Sequence, residues 1–210
     1  MKYDAVIVAA GSGSRMNLGY NKVLYELEKG VRVIDKSVSL FLADEDCARV
    51  IVVLSEHDYD SVILEGVTKV RGGATRSESV YSGLSQVQSE YVMIHDGARP
   101  FLKKETLVAI KECLETCDAC LPAIPEKDSI KIVEDGYVTG SIEREKIWHA
   151  QTPQAFRTQL IRECLKEVME KGETVTDDIA AVQLHSDAKI RVINGDEDNR
   201  KLTVIQDLNR

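Results

Sequence analysis

The chain has 210 residues, of which 43% are hydrophobic and 30% charged, which suits one compact α/β domain. Its formal net charge of −8 argues against binding to nucleic acids or membrane surfaces, which are polyanions, but allows a small anion held by a local positive site. The sequence has no apolar run of 18 residues, and Asp4 interrupts the short apolar stretch at its start, so we expect neither a membrane span nor a signal peptide. An odd number of cysteines, five, favours reduced thiols and a cytoplasmic location.

The first part of the chain alternates between apolar runs and helical patterns. Apolar runs typical of parallel strands covered on both faces occur at residues 5–9, 50–54, 91–94 and 119–123. Helical patterns occur at residues 33–42, 58–64, 77–86 and 104–114. This alternation predicts a parallel sheet with helices on both faces and right-handed connections.

The alternation ends near Pro125, where two short strand-like runs at 130–133 and 137–142 flank Asp135-Gly136. An Asp-Gly pair between such runs is a hairpin signal. The hairpin has too little apolar surface to be stable alone, so we expect the arm 126–144 to pack on something else, such as a partner subunit. The arm is predicted to be inserted into a single domain, residues 1–210, that ends with helices at 157–170 and 176–184, a strand at 189–193 and a short C-terminal helix.

The first predicted strand runs into a glycine turn, Ala9-Ala10-Gly11-Ser12-Gly13-Ser14-Arg15. A dinucleotide fingerprint does not fit, because Met16 stands in the place of its third glycine, and no G-K-[ST] follows as a P-loop requires. Arg15 directly follows the turn and Lys22 comes seven residues later. Glycines let backbone N–H groups approach phosphates, and the two cations would add to that attraction, so a phosphate site is favoured over an ordinary turn.

Asp96 follows the third apolar run and is itself followed by Gly97-Ala98-Arg99. Ligands of open α/β sheets lie outside the carboxyl ends of the strands, and a carboxylate there can hold Mg²⁺. Gly97 would let a ribose come near, and Arg99 could serve an anion. Taken alone, an aspartate in this place could equally cap a turn. Two later stretches, the polar turn 148–156 before a helix and residues 198–203, would by themselves be interpreted as solvated loops.

Three cysteines, Cys113, Cys117 and Cys120, have the C-x3-C-x2-C spacing of the cluster motif in radical enzymes that use S-adenosylmethionine. Ligands of a cluster must converge on one exposed loop. Cys113 falls in a helical pattern and Cys120 opens an apolar strand, so we interpret the three as buried structural cysteines.

In chain order, these features resemble the 2-C-methyl-D-erythritol 4-phosphate cytidylyltransferases of the non-mevalonate isoprenoid pathway. The resemblance spans nearly the whole chain and rests on AAGSGSRM with Lys22, GGATRSESV (72–80), HDGARPF (95–101), KDSIK (127–131), ER (143–144), IWHAQTPQAF (147–156), TVTDD (174–178) and DNRKLT (198–203). It implies a Rossmann-like, mostly parallel sheet of the nucleotidyltransferase type with an inserted β-hairpin arm. It also implies transfer of CMP from CTP to a sugar-alcohol phosphate, with Mg²⁺ or another divalent cation and release of pyrophosphate.

The resemblance implies roles for individual residues. Arg15 and Lys22 would be catalytic at the CTP phosphates, and Asp96 would bind the metal. Nucleotide binding is implied for Ala9, Ala10, Gly11, Gly13, Gly73, Ser79, Asp96 and Gly97, with Gly73 and Ser79 in the segment that holds cytosine. Binding of the acceptor phosphate is implied for Arg99, Ser129, Arg144, Thr152 and Lys201. Since the family's arm crosses to a neighbouring subunit, the chain would form a homodimer in which Arg144 serves the partner's site.

The sequence departs from the family at Asn21, where proline is usual, and this predicts a looser loop around Lys22. The close alternative is ribitol-5-phosphate cytidylyltransferase of teichoic-acid synthesis, which has the same fold and chemistry. That group favours AGG at the first turn and HDSVRPF at the second, and it tends to lack tryptophan before QTPQ. Ala10, Gly97-Ala98 and Trp148 therefore favour methylerythritol phosphate.

Two alternatives belong to other classes of protein. A catalytically inactive nucleotide sensor with this fold is opposed by the retained charged residues of the motifs. A nicotinamide dehydrogenase is weakened by the missing third glycine.

Overall fold

A central β-sheet organises the chain. The computed structural model describes residues 1–11, 19–204 and 206–207. The strands, numbered in chain order, are β1 (Tyr3–Ala9), β2 (Glu26–Glu28), β3 (Val31–Arg32), β4 (Cys47–Leu54), β5 (Val67–Arg71), β6 (Tyr91–Asp96), β7 (Ala119–Pro125), β8 (Ile130–Glu134), β9 (Tyr137–Ile142), β10 (Trp148–Ala150), β11 (Gln154–Arg157) and β12 (Ile190–Asn194). The helices are α1 (Val33–Leu42), α2 (Glu56–Tyr59), α3 (Arg76–Leu84), α4 (Lys104–Leu114), α5 (Thr158–Glu170) and α6 (Asp178–His185), with 3₁₀ turns at Lys22–Leu24 and Arg144–Lys146.

The main sheet has the strand order β10-β7-β11-β6-β1-β4-β5, with β12 also paired to β7. β1 is parallel to both β4 and β6, β4 is parallel to β5, and β7 is parallel to β12. β10 and β11 run antiparallel to β7, and β11 runs antiparallel to β6. The prediction of a mostly parallel α/β sheet is confirmed, and the carboxyl ends of β1, β4, β5 and β6 meet at one edge.

Apolar side chains cover both faces of the sheet, as the continuous apolar runs predict. Successive residues of β1 point to opposite faces, so Ile7 belongs to the core cluster that contains Phe41 of α1, while Val6 belongs to the cluster that contains Leu84 of α3 and Leu165 of α5. Burial on both faces fixes the sheet as a rigid platform for whatever lies at its edge. Within the described part of the chain, no helix is long and apolar enough to cross a membrane.

Two predicted elements differ in the structure. The helix predicted at 58–64 is wrong, because α2 is a single turn and Ile63 beyond it is 77% exposed, with its carbonyl bound by Arg32 Nη2 at 2.8 Å. The polar turn predicted at 148–156 instead supplies β10 and β11, whose backbone groups complete the sheet beside β7. The predicted C-terminal helix falls partly on residues outside the described ones.

The hairpin predicted within the arm is confirmed. β8 and β9 form a separate two-stranded sheet joined by Asp135 (φ 50°) and Gly136 (φ 83°), both in the left-handed region that a tight two-residue turn requires. The chain leaves the main sheet after β7 and returns at β10, where Trp148 lies opposite Pro125. The hairpin therefore projects from the edge of the sheet.

Candidate active site

A pocket of about 410 Å³ lies at the carboxyl edge of the sheet, and we call it the strand-end pocket. Its walls come from the residues that follow β1 and β5, the start of α3, the end of β6 and the C-terminal segment. The predicted residues that line it are Ala9, Ala10, Gly11, Lys22, Gly73, Ser79, Asp96 and Lys201. Two further predicted residues, Gly13 and Arg15, lie outside the described residues.

The carboxylate of Asp96 forms the charged floor of this pocket and is only 7% exposed. Its Oδ2 lies 3.0 Å from Lys201 Nζ and 3.3 Å from Arg99 Nε, and its Oδ1 lies 3.7 Å from Arg76 Nη2. Burial alone would raise the pKa of this carboxyl, but the three cations outweigh burial and hold its pKa well below the ordinary value. Asp96 is thus an anion enclosed by positive charge.

Arg76 is the cation of this group to which the sequence assigns no role. Thr75 and Glu78 form a capping box that starts α3 there, so Arg76 stands in the first turn of the helix. Its guanidinium binds both carboxylate oxygens of the buried Asp178, at 2.9 and 2.8 Å. Burial opposes the charge of Arg76, but Asp178 and Asp96 raise its pKa above the ordinary value. Asp178 therefore holds Arg76 charged beside Asp96.

A hydrogen-bonded chain supports Asp96 from behind. The Asp96 N–H donates to Thr152 Oγ1 at 3.0 Å, and the Thr152 hydroxyl lies 3.0 Å from His95 Nδ1. His95 Nε2 lies 3.0 Å from the Arg99 carbonyl oxygen, which can only accept, so Nε2 carries the proton and Nδ1 accepts from Thr152. His95 is fully buried, and burial lowers its pKa to about 4, so its ring is neutral. Thr152, predicted for the acceptor phosphate, is itself buried in this chain of bonds.

The side chain of Asn21 anchors the described end of the loop that carries Lys22. A looser loop than proline would give stays a prediction, because residues 12–18 lie outside the described residues. Asn21 is 6% exposed, and its Nδ2 donates to the Ala9 carbonyl at 2.8 Å and to Asp58 Oδ2 at 2.9 Å. Its Oδ1 accepts from the Val23 N–H at 3.3 Å, which caps the 3₁₀ turn. Asparagine thus ties the lysine loop to the end of β1 by hydrogen bonds.

The glycines predicted to approach the nucleotide differ in their surroundings. Gly73 lines the pocket, its N–H donates to Ser79 Oγ at 3.1 Å, and a Cβ there would lie 2.4 Å from Glu78 Cβ, so only glycine fits. Gly97 packs inward instead of lining the pocket, and a Cβ there would lie 3.1 Å from Ile34 Cδ1. Glycine at position 97 therefore leaves space for the core side chain of Ile34.

Two predicted acceptor residues, Ser129 and Arg144, lie on the exposed arm and do not line the strand-end pocket of their own chain. Arg144 Nη1 donates to the Lys127 carbonyl at 3.1 Å, and its Nε lies 3.3 Å from Glu145 Oε1. The fold of a single chain does not bring them to Asp96.

The oxygen ligands that the pocket offers fit a divalent cation that is bound partly by the protein and partly by substrate phosphates. Asp96 is the one carboxylate among the described residues that line it, and it is ionised. Mg²⁺ is usually bound through one or two carboxylates together with substrate phosphates and waters, not by a cage of protein oxygens. Asp96 Oδ1, whose contact with Arg76 exceeds hydrogen-bond length, is the less engaged of the two oxygens.

Known proteins resemble this chain over its full length. The family model described as 2-C-methyl-D-erythritol 4-phosphate cytidylyltransferase matches residues 3–210. The enzyme of that name from Bacillus licheniformis is 39% identical and covers 99% of this chain and 93% of its own length, and that from Shouchella clausii is 37% identical and covers 99% and 94%. The crystal structure of 4-diphosphocytidyl-2C-methyl-D-erythritol synthase from Anaerococcus prevotii matches with a TM-score of 0.86 at 28% identity, over 99% of this chain and 93% of that one.

The neutral state of His95 predicts a pH dependence of stability. Because its pKa falls from 6.5 to about 4 on folding, the unfolded chain binds more protons between these values, and stability rises with pH through that window. This contribution, about 3 kcal/mol, is fully present above about pH 6.5 and is lost as the pH falls to 4. Between pH 7 and pH 4, we expect the free energy of unfolding of the wild type to fall by about 3 kcal/mol more than that of His95→Gln.

Urea unfolding at a series of pH values measures this difference. The matched control is His57→Gln at an exposed histidine, which should follow the wild type. Equal pH dependence in His95→Gln and the wild type would contradict a buried neutral ring.

Proposed function

The chain belongs to the 2-C-methyl-D-erythritol 4-phosphate cytidylyltransferase family, and we propose that the strand-end pocket is its active site. The enzyme transfers CMP from CTP to 2-C-methyl-D-erythritol 4-phosphate in isoprenoid synthesis and releases pyrophosphate. The observation that carries the proposal is the ionised Asp96 among Arg76, Arg99 and Lys201. Both substrates are polyanions, and in a net-acidic protein they need such a local concentration of positive charge. The free thiols of all five cysteines support a cytoplasmic location.

The reaction needs charge and alignment more than proton transfer. A phosphate oxygen of the acceptor attacks the α-phosphorus of CTP, and the bond from that phosphorus to the β-phosphate oxygen breaks as pyrophosphate leaves. A phosphate monoester is already largely a dianion near neutral pH, so no general base has to remove a proton. What remains is to bring two anions together and stabilise the departing pyrophosphate, which positioned cations do.

Each wall of the pocket supplies one part of this task. The end of β1 up to Gly11, together with Lys22, lines the pocket and would face the triphosphate. The same role is proposed from the sequence for Arg15, which lies outside the described residues. Gly73 and Ser79 would bind the cytosine base of CTP. Lys201, which lines the pocket, and Arg99, which does not, both contact Asp96 Oδ2 and would serve the acceptor phosphate. Asn21 ties the chain next to Lys22 to the end of β1, so the backbone that carries Lys22 is held beside the pocket before the substrate arrives.

Asp96 is the residue that would hold Mg²⁺ in this pocket. When bound, the ion would neutralise phosphate charge as a Lewis acid. Lys201 and Arg99 engage Oδ2, which leaves Oδ1 as the oxygen for the cation. Arg76 and its partner Asp178 keep the carboxylate in place, so Asp96 stays ionised and oriented.

The arm presents an aliphatic face that a second copy of the chain would cover. Ile130 lies opposite Ile142, and Ile132, two residues further along β8, shares their face. The register shift after Ile132 places the extra residue on β9, so β8 keeps its alternation and Val133 lies on the other face. Ile132 is 44% and Ile142 41% exposed in a single chain. A two-stranded hairpin with such a face gains stability only when the face is buried.

A homodimer formed through the arm would also complete the acceptor site. Ser129 and Arg144 lie on the arm, away from their own pocket. In a two-fold dimer, each arm would carry these side chains to the pocket of the other chain. The acceptor phosphate would then be held between Lys201 of one chain and Arg144 of its partner.

Lys22 tests the assignment of the pocket. We expect Lys22→Ala to lower turnover by roughly 10² or more because a charge that stabilises the transition state is lost, while the urea midpoint stays unchanged. Pyrophosphate release under saturating CTP and acceptor measures this. Lys29→Ala, at an exposed lysine outside the pocket, is the control and should keep normal turnover. Near-normal turnover in Lys22→Ala would remove the strand-end pocket from consideration as the active site.

Subunit mixing tests the arm. Arg144→Ala should bind CTP but be inactive with acceptor, and Lys22→Ala should be inactive in its own pocket yet still lend Arg144. A hybrid of the two has one pocket with both residues intact, so up to about half of the hybrid's sites should recover activity. The matched control mixes Arg144→Ala with a Lys22→Ala/Arg144→Ala chain, in which every pocket lacks Arg144. If differently tagged subunits are shown to exchange and activity does not return, Arg144 does not act across the interface.

A further inference from the structure

Three thiols converge at the edge of the sheet opposite to the strand-end pocket. Cys113 lies in the last turn of α4, Cys117 in the connection after it, and Cys120 at the start of β7. Their Sγ atoms all lie within 4.8 Å of one another, and those of Cys113 and Cys117 are 3.3 Å apart. The prediction that all three are buried is confirmed for Cys113 and Cys120 but is wrong for Cys117, which is half-buried.

Local geometry explains the convergence. Cys113 and Cys117 are four residues apart, so they stand on the same side of the chain as the helix ends. β7 begins directly afterwards and turns Cys120 back toward α4, where its Sγ lies 3.9 Å from the carbonyl oxygen of Ile110. Cys113 and Cys120 are buried, whereas Cys117 is half-buried and links the cluster to solvent.

The donor set consists of sulfur alone. Among the described residues, no histidine nitrogen or carboxylate oxygen joins the three sulfurs. Three sulfurs bound about 2.3 Å from one ion stand roughly 4 Å apart in a trigonal plane. The observed separations, from 3.3 Å up to 4.8 Å, bracket that value.

We propose that Cys113, Cys117 and Cys120 form a three-thiolate binding site for Cu(I). Thiolates select soft cations, of which Cu(I) and Zn²⁺ are the common ones. Structural Zn²⁺ takes four ligands, so three sulfurs do not complete a zinc site. A [4Fe–4S] cluster held by three cysteines has each sulfur on a different iron, which spreads the sulfurs more widely than the 4.8 Å found here, so the three sulfurs suit a single ion. Cu(I) is a soft ion that accepts three sulfur ligands, so it fits this donor set. The site does not involve the strand-end pocket, so it stands independently of the proposed catalytic roles.

Binding exchanges protons for the ion. Burial raises the pKa of the Cys117 thiol to about 11, with the Cys113 sulfur adding to the effect, and burial also raises the pKa of Cys120. The backbone N–H of Ala119 favours the thiolate of Cys117 and so offsets part of this cost. Three S–H bonds break, three Cu–S bonds form and three protons pass to solvent, with no change in the oxidation state of copper or sulfur.

The test is an anaerobic titration of the fully reduced protein with Cu(I) in competition with bicinchoninate, followed by X-ray absorption. We expect one Cu(I) per chain with three sulfur neighbours. Cys117→Ser, at the half-buried position, should keep the fold and lose at least about 10–100-fold in affinity, since loss of even an outer partner of a ligand costs that much. Pyrophosphate release from CTP and acceptor should be unchanged in this variant.

The matched control is Cys164→Ser, a buried cysteine on α5 that lies outside the cluster and should bind Cu(I) as the wild type does. Retained affinity in Cys117→Ser would overturn the proposal. So would fewer than three sulfur neighbours, or tighter binding of Zn²⁺ than of Cu(I) in a parallel titration.

Discussion

Asp96 can stay ionised while almost out of contact with water only because three cations surround it. A buried charge without partners is strongly destabilising, and removing one partner of such a group costs several kcal/mol. The start of α3, the residues after β6 and the C-terminal segment supply Arg76, Arg99 and Lys201, so all three segments must converge on the end of β6. The same requirement that stabilises the carboxylate therefore builds the cationic pocket in which two phosphorylated substrates meet.

The cations are in turn held by residues far away in the sequence. Arg76 depends on Asp178 at the start of α6, and that helix start is positioned by Gln154 of β11, whose Oε1 accepts from the Asp178 and Ile179 N–H groups at 3.0 Å. β11 pairs with β6, the strand that ends in Asp96. β11 runs antiparallel between the parallel strands β6 and β7, and through Gln154 it links the sheet to the charge network. The polar stretch before α5 is therefore ordered as a strand.

The sequence predicts those parts of the fold that depend on local signals. The apolar runs mark β1, β4, β6 and β7 because these strands are buried on both faces. β5 carries no such run, since Thr68 and Lys69 interrupt its apolar residues at the edge of the sheet, so it is found only in the structure. The pairing of Arg76 with Asp178 spans 102 residues, and no local pattern announces it.

Roles within the site follow a similar division. Residues on one continuous turn, such as Ala9 to Gly11, can be placed by the glycine pattern. The hydrogen bond from Asn21 to Asp58 could not be predicted. Asp58 lies in the short helix α2, where the sequence pattern wrongly predicts a helix at 58–64. The convergence of the three thiols likewise depends on how the chain turns between α4 and β7.

The central claim is that the charged pocket serves CTP and one particular acceptor, and product formation measures it directly. The enzyme is incubated with CTP and Mg²⁺ and with one acceptor at a time, and pyrophosphate and the cytidylylated product are quantified. The account predicts stoichiometric release of pyrophosphate with 2-C-methyl-D-erythritol 4-phosphate and far less with ribitol 5-phosphate. Release that is absent with the first acceptor, or equally fast with the second, would contradict it.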